Sequence, residues 1–457
     1  LRSQRFFHKR AAHRMKHELA RAVYTLLAHL LLPLLLIRLA WQGMRQPAYW
    51  RRWSERFGFP TVNGSMQGAI WFHAVSVGEA SSAVPLVARM REAHPEVPVL
   101  ISTMTPTGAE CVRRQLDGVA VHRYVPYDLP WSVGTFLKRV RPRVLVLMEA
   151  ELWPNVLRGC ARRGVPVILV NARISEKSFN RYRRLSWLTQ PMLHNVTSVV
   201  AQSKQDADRL IALGMEAARV NVSGNIKFDL EVPADLKARA QATRASLGVH
   251  RPVWIAASTH AGEEAAVLEA HRLVLGHRAD CLLLLAPRHP QRFAEVGALL
   301  KERGFRYVQR SAGKTAAPQD QVFLLDYLGE LLEFYAAADL AFVGGSLANV
   351  GGHNMLEAAA VGIPVLSGPH VSNFAEISRL LREAGAAQVV QNSSELARSV
   401  MALLSNPSLR QEWGRRGQRV VEENRGAADC VTGLITSQIS APPPSPSLCQ
   451  GEGRGGG

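Results

Sequence analysis

The sequence predicts an α/β protein built from two doubly wound parallel-sheet units that face a cleft, with an N-terminal membrane-anchor helix. Three observations predict it. Short continuous Val/Ile/Leu runs alternate with helical stretches along most of the 457 residues, as in strands covered on both faces and joined by crossover helices. The alternation comes as two series separated by a polar helical stretch, Val232 to Leu247, and two units of roughly 200 residues each fit the usual domain size. Ahead of both lies an apolar segment set between clusters of Lys and Arg.

That segment, Ala22 to Ile37, is sixteen residues long and contains His29 and Pro33, short of the ~20 that span a bilayer. Residues 1–58 hold twelve Lys/Arg against Glu18 and Glu55, a net +10 out of a formal +18 for the whole chain. Arg45, Arg51, Arg52 and Arg56 lie beside Trp41, Trp50 and Trp53, which predicts an anchor lying in or dipping into an anionic leaflet. A buried core helix followed by a solvated basic face is the competing reading. No small-residue cleavage pattern follows, so a secretory signal peptide is not expected. Met15 followed by Lys16 reads as a natural start, with residues 1–14 an upstream extension. No nucleic-acid module or aromatic-rich basic sheet appears, so nucleic acid is not an expected partner. The predicted division is 1–44 for extension and anchor, 45–231 and 232–435 for the two units, and 436–457 for a disordered Pro/Gly-rich tail.

In the first unit strands are predicted near 69–75, 97–103, 119–126, 143–149, 165–171, 197–202 and 220–223, with helices such as 80–93, 153–163 and 204–213 between them. In the second they fall near 253–258, 281–286, 306–309, 321–325, 340–344, 364–367 and 387–391. The five cysteines (Cys111, Cys160, Cys281, Cys430, Cys449) lie far apart, a pattern of reduced thiols rather than a disulfide framework or a metal site.

Ligands of open α/β sheets bind beyond the carboxyl ends of the strands, so residues there are the candidates. The first strand runs into Ser76-Val77-Gly78-Glu79, where Glu79 reads equally as a general base for a hydroxyl and as a helix-capping carboxylate. Glu149 closes the fourth strand, and two carboxylates near one site raise the pKa of at least one. Arg173 and Lys227 each follow a strand and read either as phosphate or sugar-acid partners or as exposed salt-bridge cations. In the second unit Ser258, Thr259 and His260 precede a helix, as anion binding favours. Pro287 and Pro290 bracket Arg288 in a rigid loop, and Leu328, Gly329 and Glu330 mark another strand-to-helix turn. The most informative stretch follows Leu340 to Val343: the pairs Gly344-Gly345 and Gly351-Gly352, then Asn354, Met355, Leu356 and Glu357. Glycines there permit close backbone approach to a ligand, and a helix starting near Asn354 would offer N–H groups to phosphate. Glu357, three residues after Asn354, also reads as the partner in a capping box.

No G-x-x-x-x-G-K-[ST], H-E-x-x-H or Cys/His cluster is present, and no G-x-G-x-x-G turn follows the first strand. A P-loop enzyme, a zinc hydrolase and a nicotinamide dehydrogenase are therefore disfavoured, and no metal or cofactor is expected.

Several segments together resemble the 3-deoxy-D-manno-octulosonic acid (Kdo) transferases. They are Pro47 to Gly58, Ser76 to Glu79, Thr103 to Gly108, Val125 to Pro130, Asn171 to Arg173, Ser258 to His260, Ala286 to Pro290, Gly344 to Ser346 and Gly351 to Asn354. The likeness runs from about Met15 to about Ala428, and it departs from the usual pattern at Ala150, where Thr is common. It implies a GT-B glycosyltransferase with two Rossmann-like domains, the first holding a lipid A precursor and the second holding CMP-Kdo, at the cytoplasmic face of the inner membrane. Carried over by motif, Glu79 would be the general base and Glu149 and Lys227 would support the transition state. Ser258, Thr259, His260, Pro287, Arg288, Leu328, Gly329, Glu330, Gly345, Ser346, Gly352 and Asn354 to Glu357 would hold the donor. Arg56 and Arg173 would meet acceptor phosphates. Another GT-B enzyme, such as a nucleotide-sugar 2-epimerase, or a non-catalytic membrane-surface scaffold are the alternatives.

Overall fold

The computed structural model describes residues 2–61, 66–327 and 329–440. Each predicted strand is present. The first sheet contains β1 (Ile70–His73), β2 (Val99–Thr103), β3 (Val121–Tyr124), β4 (Val144–Met148), β5 (Val167–Ala172), β6 (Ser198–Ala201) and β7 (Val220–Val222). The second contains β8 (Val253–Thr259), β9 (Leu282–Pro287), β10 (Tyr307–Gln309), β11 (Val322–Leu324), β12 (Leu340–Val343), β13 (Val365–Ser367) and β14 (Ala387–Val389). Their orders are β3-β2-β1-β4-β5-β6-β7 and β10-β11-β9-β8-β12-β13-β14, and the pairings are parallel. In both sheets the order reverses direction beside the first strand, between β1 and β4 and between β8 and β12. That switch point is where open sheets of this kind receive ligands.

The apolar runs explain the sheets. β1, β4 and β8 have no exposed apolar side chain, and their alternate residues feed two cores, one on each face. Trp71, Leu145 and Leu147 join one face of the first sheet, while Ile70, Phe72, Val144 and Val146 join the other. The second sheet divides in the same way between Ile255 and Val343 on one side and Trp254 and Phe342 on the other. Fully burying such a side chain contributes about 1.5–3 kcal/mol, so the strands are the most firmly held parts of each unit.

Two boundaries differ from those predicted. The second unit is Lys227–Arg425, and the chain from Gly426 returns to the first. The cause is the helix Ala427–Ser440, whose Ala427, Ala428, Val431 and Ile435 are fully buried on the face of the first sheet. Residues 426–435 therefore do not belong to the second unit, and 436–440 are helical rather than part of a disordered tail. The remainder of that tail lies outside the described residues.

The anchor segment belongs to one long helix, Arg2–Arg45, which continues unbroken through Pro33. Within it Leu19–Arg45, 27 residues, is long and apolar enough to cross a membrane by length and composition. This exceeds the sixteen residues counted from the sequence because the helix runs on past Ala22 to Leu19 and past Ile37 to Arg45. Arg56, expected among headgroup-facing cations, is instead 2% exposed. Its guanidinium stacks 4.1 Å from the Tyr124 ring and donates to Met104 O at 2.9 Å.

Candidate active site

In the first unit the residues of interest gather at the carboxyl edge of β1 and β4. Glu79 is the third residue of the helix Val77–Ala93, which Ser76 caps by accepting from Glu79 N at 3.2 Å. The Ser76 hydroxyl donates to Glu79 Oε1 at 2.8 Å and Val75 N to Oε2 at 2.7 Å. Burial pushes the Glu79 carboxyl up to about 7, the two hydrogen bonds pull it back, and the charges of Glu151 and Glu149 push it up again. The capping and base readings left open by the sequence thus coexist in one side chain.

Glu149 sits directly after β4 with φ at 55° and its N–H bonded to Val170 O. A left-handed non-glycine residue costs of order 1–3 kcal/mol and persists where surrounding structure holds it, often at functional sites. Glu151 follows with its carboxyl raised, chiefly by burial and then by Glu149, and it accepts from Trp153 Nε1 at 3.0 Å. Trp153 meets the edge of His73, whose buried ring is held neutral by a pKa pushed down to about 3. Glu151 and Trp153 are not among the sequence candidates, although they share a Glu-x-Glu-x-Trp-Pro run with Glu149.

Other first-unit candidates differ in setting. Arg173 is exposed. Asn171 beside it has φ at 51°, accepts from Ile226 N at 3.1 Å through Oδ1, and offers its carbonyl to Gln202 Nε2. This fixes the turn that leads into Lys227. Lys227 itself belongs to the second unit, with Nζ 4.8 Å over the Phe374 ring.

In the second unit Ser258, Ala286, Pro287, Arg288, Leu325, Tyr327, Gly329, Glu330, Leu331 and Phe334 line a shallow depression at the ends of β8, β9 and β11. It joins five of the predicted donor-binding residues; Leu328 lies outside the described residues. Ser258 takes φ at 55°, where the β8–β9 register shifts. The buried Thr259 presents its carbonyl to Arg288 N at 3.0 Å, leaving the exposed guanidinium of Arg288 at the mouth. Glu330 is paired with Arg310 at 2.9 Å.

The glycine-rich loop corrects an expectation. Its N–H groups are already taken: Gly345, Ser346, Leu347 and Ala348 all donate to the buried Glu263 carboxylate, at 2.6–3.1 Å, as does His260 N. Gly345 and Ser346 therefore have no backbone donor left for a phosphate, and Gly352 N is spent on Gly345 O. Gly344 is required for packing, since a Cβ there would sit 2.8 Å from Ser258 O and Thr259 Cα.

The helix that follows is also shorter than predicted, Leu356–Ala360 with Met355 at its N-cap position. Asn354 Oδ1 accepts from Leu356 N, and Asn354 Nδ2 donates to Glu357 Oε1, both at 3.1 Å, so the capping box is replaced by a side-chain pair. Met355 and Leu356 are buried in the core. Glu357 is raised by burial and drawn down by Asn354 and Arg288. His353, unpredicted, lies 2.7 Å from His260 through their Nε2 atoms, with His289 edge-on to His260 at 5.2 Å. Burial lowers all three, His353 to about 4, and Arg288 adds to each. Around Arg288 there is thus a neutral imidazole group, one carboxyl and a depression with aromatic walls. Among the described residues no group of three His, Cys, Asp or Glu could hold a metal ion.

Two seven-stranded parallel sheets, with buried carboxyls at one carboxyl edge and a cation beside a depression at the other, make a two-domain α/β protein of GT-B type. The solved structure of MurG from Acinetobacter baumannii has the same fold, at a TM-score of 0.53 over 81% of this chain and 99% of that one, with 14% identity. The family model for 3-deoxy-D-manno-octulosonic-acid transferase (kdotransferase) matches residues 51–230, and that for glycosyl transferases group 1 matches 252–420. The 3-deoxy-D-manno-octulosonic acid transferase of Haemophilus influenzae is 38% identical over 91% of this chain and 98% of its own length. The Bordetella pertussis protein of the same name is 37% identical over 90% and 97%. The chain belongs to the 3-deoxy-D-manno-octulosonic acid transferase family.

Proposed function

We propose that this protein is an inverting glycosyltransferase that moves Kdo from CMP-Kdo to a tetraacylated, bisphosphorylated lipid A precursor (lipid IVA) in lipopolysaccharide inner-core assembly. It works at the cytoplasmic side of the inner membrane, with Glu79 as general base. The observation that carries this reading is the setting of Glu79: buried, at a strand-to-helix turn on the sheet's carboxyl edge, and raised to about 7. A base of that strength is half ionised near neutral pH, where general-base catalysis is most effective and contributes roughly 10²–10⁴-fold. Two hydrogen bonds use part of its acceptor capacity, and a carboxylate has room for about four.

In the proposed step the acceptor hydroxyl gives its proton to Glu79 as its oxygen attacks the anomeric carbon of Kdo. The bond from that carbon to the phosphate oxygen breaks, its electron pair leaves with CMP, and configuration inverts through an oxocarbenium-like state. Arg288 holds the single phosphate, for which a charge-assisted bidentate contact suffices. The depression beside Tyr327 and Phe334 takes the cytosine, and Glu357 with Asn354 takes ribose hydroxyls. Glu149 and Lys227 support the transition state, and Arg173 meets an acceptor phosphate. The basic, Trp-bearing anchor keeps the enzyme at its lipid substrate.

The test is incubation of purified protein with CMP-Kdo and the lipid A precursor, followed by mass spectrometry of the lipid. Addition of whole Kdo units, lost in Glu79→Ala, is the expected result. No addition with CMP-Kdo but transfer from a UDP-sugar would overturn the donor assignment.

A further inference from the structure

The helix Arg2–Arg45 is tied to the first unit at two separate places. Arg21 Nη1 and Thr25 Oγ1 both donate to Asn155 Oδ1, at 3.4 and 3.2 Å, and Tyr24 bonds Asp128. These partners are rigid: Asp128 accepts from the N–H groups of Asn155 and Val156, and Asn155 Nδ2 donates to Asp128 O. At the other end Leu39 and Gly43 are buried, and Pro47–Trp50 turns back along the helix. The chain is then pinned beside β3, where Arg52 Nη2 donates to His122 O and Glu55 accepts from Tyr124 N. From Thr25 to Gly43 the helix covers about 27 Å at ~1.5 Å per residue; Asn155 holds its first end, and its last end packs on Trp50 and leads within nine residues to the Arg52 and Glu55 bonds on the same folded unit.

A helix that crosses a bilayer delivers its ends to opposite sides of a core ~30 Å thick. Here one body holds both ends. The charges point the same way. Arg2, Arg5, Lys9, Arg10, Arg14 and Lys16 precede the apolar stretch, and Arg38, Arg45, Arg51 and Arg52 close or follow it. Basic flanks favour the cytoplasmic side, and crossing would strand one of these two clusters on the wrong side. Between the pins only a narrow stripe, residues 28, 32 and 36, is half-buried, while Leu26, Leu30 and Leu34 are 60–65% exposed. Trp41 and Trp50 are each 48% exposed, with Arg45 3.9 Å over the Trp41 ring, the aromatic and cationic pairing found at headgroup level.

We infer that this helix lies in the plane of a single leaflet, its leucine face among the acyl chains and its basic flanks on anionic headgroups, without crossing the bilayer. The inference rests on the membrane association proposed above and specifies its topology. The occupant of the exposed face is an anionic lipid surface, selected by a long apolar face with cations at both ends.

The experiment adds full-length protein carrying an N-terminal epitope tag to preformed sealed vesicles of phosphatidylethanolamine and phosphatidylglycerol. Expected are co-sedimentation, complete removal of the tag by protease added outside, and quenching of tryptophan by lipids brominated near the headgroup. A variant with Leu26, Leu30 and Leu34 changed to Gln should partition at least about tenfold less, with CMP binding unchanged. A vesicle-bound protein whose tag is protected would overturn the in-plane topology while leaving membrane association intact. Failure to bind vesicles would overturn both. A lipid-free dimer that shields the helix would assign the face to a second copy and overturn the inference.

Discussion

Replacing Glu79 by Gln should abolish transfer and yet make the first unit more stable at alkaline pH. An ordinary glutamate titrates at 4.5, whereas burial pushes Glu79 up to about 7. Its folded state therefore binds more protons than the unfolded chain between those values, so stability falls as pH rises through that window. Below pH 4.5 the carboxyl is protonated in both states and the cost is absent. Above pH 7 the cost is fully present, about 3 kcal/mol at ~1.4 kcal/mol per pH unit. Gln escapes that cost, but it has one acceptor oxygen where Glu79 serves both Val75 N–H and the Ser76 hydroxyl, which forfeits about 1 kcal/mol. The net expectation is about 2 kcal/mol in favour of the Glu79→Gln variant at pH 8, shrinking to nothing or reversing slightly near pH 4.5. Urea unfolding of both proteins at the two pH values, followed by tryptophan fluorescence, measures it. Equal midpoint differences at both pH values would refute the claim that Glu79 is a buried, proton-holding carboxyl. Retained transfer by the same variant would separately remove Glu79 as base.

Three further outcomes follow from the same geometry. The transfer rate of the wild type should rise with pH through an apparent pKa near 7, as Glu79 ionises, and a flat profile from about pH 5.5 to 8 would count against the assignment. Arg288→Ala keeps the backbone bond from residue 288 N to Thr259 O and removes an exposed guanidinium that makes no hydrogen bond among the described residues, so it should weaken CMP binding about ten- to a hundredfold by titration calorimetry without moving the melting temperature. Glu263→Ala would orphan four loop N–H groups and that of His260, so thermal unfolding should show the second unit destabilised by roughly 3 kcal/mol or more.

What could be read from the sequence follows the range of the forces involved. The strands were legible because apolar runs such as Val144–Met148 are buried whatever their neighbours are, and periodicity reports burial directly. Helix ends and backbone hydrogen-bond partners were not. Gly344 to Ser346 looked like an anion cradle, and it is one, but the anion is Glu263, about eighty residues earlier in the chain. No local pattern distinguishes a loop that waits for a ligand from one already filled by a distant carboxylate. The helix Ala427–Ser440 was assigned to the wrong unit for the same reason: its apolar face shows that it packs, without showing on what. Glu79 and Arg288 stand out in the sequence because glycine and proline mark their turns. Glu151 and His353 were passed over because their roles depend on neighbours brought in by the fold, Trp153 and His260 respectively.

The two strand edges differ in charge, and that difference fits the proposed chemistry. At the first, burial raises both Glu79 and Glu151, and the charges of Glu151 and Glu149 add to Glu79 while that of Glu149 adds to Glu151. The charged form of Glu79 is thus disfavoured by burial and by nearby carboxylates together. At the second, burial lowers three imidazoles and Arg288 adds to each, after His289 in the case of His260, and the Arg288 guanidinium stands exposed beside the depression. A base kept at its ordinary carboxylate strength would be ionised at every working pH but too weak to take a sugar hydroxyl's proton early. The strength that the fold confers on Glu79 is therefore set by the same burial that destabilises its charged form.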